Sequence, residues 1–316
     1  CCVSGAQLWQ NCNAAQWRCW SLASMHPSSH CVLCIALQAN LPLLAEPSSA
    51  ARFGSALTNY IADLEKLAPE VEQVFVFGKP TLSRPVLNLL RNTEYFVQKP
   101  ASYEPFDVFS KAQGFADLLV PIGNGSDKWL ARWNSAAESS PRSVLVSKVW
   151  DVTDSGELLF FGASELIRVA ERSVSPKQLK VFASRGLAGI DGSVSTALGL
   201  AQGGQKVRAV IGDLTLLHDA GSLSFDQSNK DAPLDIQLIV ANDFGGSIFT
   251  GLEMAKLLDE QTFDRLFRTP QQVDLWHLAA AYGWNYVLVQ TVGELETALA
   301  ESGRVLIEVR LEPAQA

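Results

Sequence analysis

The segment VRAVIGD at residues 207–213 and the segment IQLIVANDFGG at residues 236–246 decide the fold of the carboxyl-terminal half of this chain. Each begins with a short, largely β-branched apolar run and reaches an aspartate, which is typical of buried strands in a parallel sheet. The chain between them is long enough for a helix, so the two segments predict a βαβ unit. Ligands of such sheets bind outside the carboxyl ends of the strands. We therefore expect Asp213 and Asp243 to lie together at one ligand site.

A divalent cation is the simplest ligand for this predicted pair of carboxylates. Two unpaired carboxylates would repel each other and would lose their hydration in a buried position. Gly245 and Gly246 follow the second aspartate and would let the backbone approach a ligand with a carbonyl oxygen. Such an oxygen-rich set suits Mg²⁺, with a phosphate-bearing partner completing its coordination. The alternative is that Asp213 caps the following helix and that Asp243 begins a tight turn.

The composition is that of a globular protein with two domains of ordinary size. The chain has 316 residues, of which 47% are hydrophobic and 18% are charged. Its formal net charge of -8 argues against a nucleic-acid surface. No uninterrupted apolar run reaches the ~18 residues that a membrane span requires. We therefore expect neither nucleic acid nor a membrane as a partner.

The first 34 residues differ from the rest of the chain. They hold all six cysteines and show no clear periodicity, whereas a remainder without cysteine fits a reducing cytoplasm. One interpretation is a zinc module, which lacks a second well-spaced pair and whose ligands would be His26, His30, Cys31 and Cys34. A secretory signal would need a basic start and a clean apolar core. We favour a third interpretation, in which a shifted reading frame or a wrong gene start makes residues 1–34 aberrant or disordered.

Alternating apolar segments predict an α/β protein with two doubly wound, mostly parallel sheets. In the middle domain, residues 35–150, we predict helices at 57–67 and 83–90 and strands at 74–77, 95–98 and 118–122. Residues 123–157 are predicted to be a helical connection. In the second domain, residues 151–316, we predict strands at 158–161, 180–182, 207–211, 236–241, 285–289 and 305–309.

The Gly212-Asp213-Leu214 motif, followed thirty positions after Asp213 by the turn at Asp243, resembles the cofactor motif of thiamine-diphosphate enzymes. In that family the motif's aspartate, an Asn or Asp of the turn, and a carbonyl two residues on hold Mg²⁺ against the diphosphate. The resemblance implies that Asp213, Asp243 and Gly245 bind Mg²⁺ or Mn²⁺. Leu214 replaces the commoner glycine and Asp243 stands where many members have asparagine. The added charge should strengthen binding of a divalent cation.

Further segments narrow the resemblance to one branch of that family. These are GASELIR at 162–168, SRGLAGIDG at 184–192, GDLTLLHD at 212–219 and GGSIF at 245–249. Together they resemble the 2-succinyl-5-enolpyruvyl-6-hydroxy-3-cyclohexene-1-carboxylate synthases (MenD) of menaquinone biosynthesis, over most of residues 41–309. The resemblance implies a transferase that decarboxylates 2-oxoglutarate and adds the succinyl carbanion to isochorismate. It also implies the thiamine-diphosphate enzyme fold without its amino-terminal pyrimidine-binding domain.

The resemblance assigns substrate-binding roles to a set of polar residues, because both substrates are dicarboxylates and guanidinium groups grip carboxylates in bidentate fashion. This set is Ser164, Arg168, Arg185 and Arg84. The alternative for Arg168 is a surface ion pair with Glu165 or Glu171. The residues implied to contact the cofactor are Ile190, Gly212, Asp213, Leu214, Gly246, Ile248, Phe249 and Leu252. Core packing is the alternative for the apolar members, and His218 is expected to be structural.

The family activates its cofactor with a glutamate of the pyrimidine-binding domain, and this chain has no segment that matches that domain. The resemblance therefore implies a fragment that is inactive alone, with exposed apolar surface and poor solubility. The intact family forms homodimers or homotetramers. Two alternatives stay open, namely another thiamine-diphosphate carboligase or decarboxylase and a non-catalytic remnant of a frameshifted gene.

Overall fold

A computed structural model describes residues 27–99, 104–105, 107–117, 119, 124–184, 189–224 and 234–311 of the chain. The chain divides into two compact units. Unit 1 comprises the described residues up to Ala137 together with Ser175–Gln178, and unit 2 comprises Glu138–Val174 and the residues from Leu179 onward. The boundary thus lies thirteen residues before the predicted one at residue 150, because the helix Pro141–Val152 packs against helices of unit 2. No helix among the described residues is long and apolar enough to cross a membrane.

Unit 1 contains a small parallel sheet with the strand order β1-β2-β3. Its strands are β1 Gln73–Val76, β2 Glu94–Gln98 and β3 Ala112–Ala116. Its helices are α1 Pro27–Gln38, α2 Tyr60–Leu67, α3 Arg84–Asn92 and α4 Asp127–Leu130. Tyr60, Leu64 and Leu67 of α2 pack with Leu89 of α3 and with Trp133, and the burial of these side chains stabilises the unit.

The sequence predictions for unit 1 differ from the structure at two places. β3, Ala112–Ala116, was not predicted, and the predicted strand at 118–122 lies outside the described residues except for Leu119, which is buried. Among the described residues β3 pairs only with β2 and has no fully buried residue, so it lacks the apolar run that identifies a central strand. The proposed segment boundary at residue 34 falls inside α1, whose Val32 and Ala36 are buried in a small core cluster.

Unit 2 contains a six-stranded sheet in which every neighbouring pair is parallel, with the order β5-β4-β6-β7-β9-β8. Its strands are β4 Leu158–Phe161, β5 Lys180–Ala183, β6 Val207–Gly212, β7 Ile236–Asn242, β8 Asn285–Val289 and β9 Arg304–Arg310. All six predicted strands are confirmed to within one residue at each end. β5 lies on one side of β4 and β6 on the other, so the winding direction reverses between β4 and β6, where doubly wound sheets bind ligands.

Helices pack on the buried strands of this sheet. They are α5 Pro141–Val152, α6 Glu165–Ser173, α7 Ser193–Ala201, α8 Asp213–His218, α9 Glu260–Phe263, α10 Leu275–Ala281 and α11 Val292–Leu299. Every residue of β7 is buried, and all of β6 except its last residue is buried. Burial of these apolar side chains holds the carboxyl ends of the two strands side by side, since Gly212 pairs with Ala241.

Candidate functional site

Asp213 and Asp243 lie at the carboxyl ends of adjacent strands. Asp213 follows β6 and is the first residue of α8, while Asp243 follows the last residue of β7. Their exposed fractions are 4% and 7%, so both carboxyl groups are withdrawn from water. The structure therefore brings together the two carboxylates that the sequence predicts, at the edge of the sheet where a parallel fold binds ligands.

The surroundings of the Asp213 carboxyl group disfavour its ionised form. Burial, followed by the negative charge of Asp243, raises the pKa of Asp213 to about 6. The backbone N–H groups of Leu214 and Gly245 donate to the carboxylate and oppose this increase without cancelling it. A divalent cation between the two aspartates would relieve both the repulsion and the loss of hydration.

Asp243 is held through one of its two carboxylate oxygens. Arg142 Nη2 and Ser247 Oγ each donate to Asp243 Oδ2 at 2.5 Å. No sequence motif marks Arg142, which lies in the first turn of α5 and 101 residues before its partner. The one local indication was a basic side chain near a helix N-terminus, where the helix dipole disfavours positive charge.

A buried hydrogen-bond network supports the turn that carries Asp243. Asn242 Oδ1 accepts from the N–H of Phe244 at 3.1 Å, and Asn242 Nδ2 donates to Glu308 Oε1 at 3.0 Å. Glu308, which is 2% exposed, also accepts from the Tyr286 hydroxyl at 2.5 Å and from Arg310. Phe244 has a φ of 60°, a left-handed conformation that a bulky residue seldom adopts. The network therefore offsets a backbone strain next to the carboxylate.

The glycines of the turn are required by the protein's own packing. A Cβ on Gly245 would lie 2.5 Å from the Arg268 carbonyl oxygen, and one on Gly246 would lie 2.7 Å from the Phe249 ring. The Gly245 carbonyl accepts from the N–H of Ser247 at 3.0 Å, which leaves its second lone pair for a cation. Close contact with residues 267–270 is therefore a reason for both glycines that does not depend on a ligand, and their approach to a ligand stays a prediction.

Gly212, unlike Gly245 and Gly246, is not required by packing within the protein. Its φ of -87° and ψ of 165° suit any residue, and a Cβ there would meet no protein atom within 4 Å. Folding therefore gives no reason for glycine at the start of the metal motif. Open space beside two buried aspartates fits a phosphate group that approaches the backbone while the cation bridges it to the carboxylates. The residues present fit a Mg²⁺-diphosphate group on this observation.

We expect Gly212→Ala to change stability by less than about 0.5 kcal/mol, because the added methyl group meets only open space. The same methyl group should lower the affinity for a metal-bound diphosphate by roughly tenfold, since it occupies the approach to the backbone. Thermal unfolding and calorimetric titration with thiamine diphosphate and Mg²⁺ would measure the two effects. Gly156→Ala, in a turn with no atom near the new Cβ, is the control and should leave both quantities unchanged.

The predicted substrate residues after β4 lie at the neighbouring strand end. Ser164 caps α6 and accepts from the N–H of Leu166 at 3.2 Å, and Arg168 Nη1 donates to the Ser164 carbonyl at 3.0 Å. Glu165 pairs with Arg172 at 2.9 Å. Among the described residues Arg168 forms no ion pair, so the alternative of a surface pair with Glu165 or Glu171 is not found there.

The other predicted site residues are distributed more widely. Arg185 lies outside the described residues, and Arg84 is an exposed residue in the first turn of α3 in unit 1. Ile190 is half-buried just before α7, where its carbonyl accepts from Ser193 Oγ at 3.3 Å. His218 Nδ1 lies 3.5 Å from Asp191 Oδ1 on the surface.

Ile248, Phe249 and Leu252 follow the turn without entering the core. Phe249 is 36% exposed and its ring contacts that of Phe267, while Ile248 and Leu252 are half-buried. Farther along the same segment, large apolar side chains are exposed, namely Leu257, Leu266 and Trp276. Core packing, the alternative for the first three residues, does not explain their exposure.

No group of three or more His, Cys, Asp or Glu side chains in the described part of the chain could hold a metal ion. A cation at Asp213 and Asp243 would therefore take its other ligands from carbonyl groups, water or a phosphate, as Mg²⁺ commonly does. The zinc alternative depends on His26, His30 and Cys31, whose side chains lie outside the described residues.

The curated relatives that resemble this chain carry one enzyme name. No protein-family model matches the chain. A 2-succinyl-5-enolpyruvyl-6-hydroxy-3-cyclohexene-1-carboxylate synthase of Arthrobacter sp. (strain FB24) is 39% identical over 312 residues, which cover 87% of this chain and 51% of the relative. That of Renibacterium salmoninarum is 38% identical over 86% of this chain and 53% of its own length, and that of Leifsonia xyli subsp. xyli is 35% identical over 88% and 58%. The chain spans about half the length of the curated relatives it matches.

Proposed function

Since the chain belongs to the 2-succinyl-5-enolpyruvyl-6-hydroxy-3-cyclohexene-1-carboxylate synthases and spans about half of their length, we propose that it holds the diphosphate end of thiamine diphosphate through Mg²⁺. The observation that carries the proposal is the buried pair Asp213 and Asp243 beside the open backbone of Gly212. These residues, with the Gly245 carbonyl, would bind the cation. Mn²⁺ has the same preference for oxygen ligands and is an alternative metal.

The proposed reaction is the one that gives the relatives their name. Thiamine diphosphate, when bound, supplies the electron sink that stabilises a carbanion. Two features of this chain would orient a dicarboxylate substrate such as 2-oxoglutarate or isochorismate. Arg168 projects from the first turn of the helix that follows β4, and Ser164 caps that helix. A guanidinium group at this position would fix a carboxylate near the strand ends and offset its charge.

We expect the chain to bind thiamine diphosphate only in the presence of Mg²⁺, because two ionised aspartates repel a free diphosphate. Isothermal titration calorimetry would measure binding with Mg²⁺, with Mn²⁺ and with excess chelator. Thiamine without its diphosphate is the control ligand and should not bind measurably. Equal affinity with and without a divalent cation, or no binding at all, would contradict the proposed site.

The complete activity requires a second test. The chain would be combined with the separately produced part of the Arthrobacter relative that it does not match, and formation of the succinyl adduct from 2-oxoglutarate and isochorismate would be followed. Turnover of pyruvate but not of 2-oxoglutarate would favour another thiamine-diphosphate carboligase. Cofactor binding without turnover of either substrate would favour a non-catalytic remnant. The exposed apolar residues Leu257, Leu266 and Trp276 support a further part of this proposal, that the working enzyme is a homodimer or homotetramer. A cytoplasmic location is proposed because residues 35–316 contain no cysteine.

A further inference from the structure

The charge on the metal turn is offset by a side chain that the proposed function does not use. Arg142 is 19% exposed and Asp243 is 7% exposed, so their ion pair at 2.5 Å lies in a region of low dielectric constant. An arginine at that depth is stable only with a partner, and Asp243 is the carboxylate it meets. The pair therefore links the first turn of α5 to the turn that follows β7.

The two carboxylate oxygens of Asp243 have different surroundings. Arg142 Nη2 and Ser247 Oγ both donate to Oδ2. Two donors on one oxygen fix the orientation of the carboxylate and leave Oδ1 to face other ligands. With Asp213 ionised, the two aspartates and the one guanidinium carry a single net negative charge instead of two.

We propose that Arg142 is a positioning residue that offsets the charge of Asp243 and fixes its orientation. The pair of Asp243 and Arg142 then carries no net charge, like the asparagine that many family members have at this position of the turn. The inference rests on the proposed function, because it concerns the same cation site. It assigns a function to a residue that lies far from the cofactor motif in sequence. It also predicts that removing the charge of Asp243 alone lowers cation affinity, whereas removing the charges of Asp243 and Arg142 together costs much less.

The test is a double-mutant cycle with Mn²⁺ as the probe, in which electron paramagnetic resonance measures free Mn²⁺ in the presence of thiamine diphosphate. Asp243→Asn leaves the Arg142 cation unpaired beside the metal and should lower Mn²⁺ affinity by roughly 100-fold. In the double variant Asp243→Asn with Arg142→Met the net charge returns to that of the original site. We expect it to recover at least about tenfold of the lost affinity.

A surface ion pair on the same helix provides the matched control. Lys148 of α5 pairs with Glu296 of α11 at 2.6 Å and is partly exposed. The cycle of Lys148→Met and Glu296→Gln should leave Mn²⁺ affinity unchanged in all three variants. If the unsubstituted chain binds Mn²⁺ but the effects at Arg142 and Asp243 simply add, the charge-setting role of Arg142 is wrong and the proposed function stands. If the unsubstituted chain binds no Mn²⁺, the proposed function fails and the inference with it.

Discussion

Replacing Asp213 by asparagine is expected to abolish Mg²⁺-dependent binding of thiamine diphosphate and, at the same time, to make the metal-free protein more resistant to heat at neutral pH. Binding should weaken by roughly 100-fold or more. Mutation of a residue that hydrogen-bonds to a metal ligand typically costs about 10- to 100-fold in metal affinity, and loss of the metal ligand itself should cost more. Calorimetric titration would measure this loss. The gain in stability follows from the position of the carboxyl group, which is 4% exposed and faces a second carboxylate.

The sign of the stability effect follows from the raised pKa. Asp213 has a pKa of about 6 in the folded protein, above the ordinary value of an aspartate, so the folded state binds its proton more tightly than the unfolded state. Ionisation of Asp213 therefore destabilises the folded protein above pH 6. This cost fades as the pH falls from about 6 towards the unfolded value near 4. An asparagine avoids the cost, and its amide nitrogen can donate to Asp243.

A shift of about two pKa units corresponds to a cost of on the order of 3 kcal/mol at pH 8. Differential scanning calorimetry should therefore show a higher unfolding temperature for the metal-free variant at pH 8 and almost no difference at pH 4. Asp154→Asn removes the same charge from an exposed position and should change neither stability nor binding. A metal-free Asp213→Asn variant that unfolds at a lower temperature than the unsubstituted chain at pH 8 would contradict this account.

Replacing Gly245 by alanine is expected to destabilise unit 2 by roughly 3 kcal/mol or more, the combined cost of backbone strain and a steric clash. The φ of Gly245 is 144°, a conformation that is almost restricted to glycine. The new Cβ would lie 2.5 Å from the carbonyl oxygen of Arg268 and 3.2 Å from Cα of Pro270. That carbonyl accepts from the N–H of Gly246 at 2.7 Å, so relief of the clash would break a hydrogen bond of the turn.

The effect of Gly245→Ala would be measured in a calorimetric scan. The unfolding temperature of unit 2 should fall by roughly 6 °C or more. The cation site should be lost as well, because the turn carries both Asp243 and the Gly245 carbonyl. Gly251→Ala is the matched control, since it lies at the end of the following 3₁₀ turn with no atom within 4 Å of the new Cβ. A Gly245→Ala variant with unchanged stability would show that residues 267–270 can move away from the turn.

The sheet of unit 2 could be predicted from the sequence because its central strands are buried on both faces. A strand of that kind is a nearly continuous apolar run, and β4, β6 and β7 all show one. The strand β3 was not predicted because its segment AQGFA is interrupted by Gln113 and Gly114 and leaves no such run. Pairing of the two aspartates was also predictable, since parallel strands bring their carboxyl ends to the same edge.

The sequence by itself determined the parallel sheet of unit 2, the position of Asp213 and Asp243 at its edge, and the resemblance that names their cofactor. Those features depend on local periodicity and short motifs, which are written in neighbouring residues. Only the tertiary structure showed that Arg142 neutralises Asp243, that Glu308 supports Asn242, and that Gly245 is required by the Arg268 carbonyl. Each of these contacts joins residues that are distant in sequence and have no common period, so packing alone decides whether they meet.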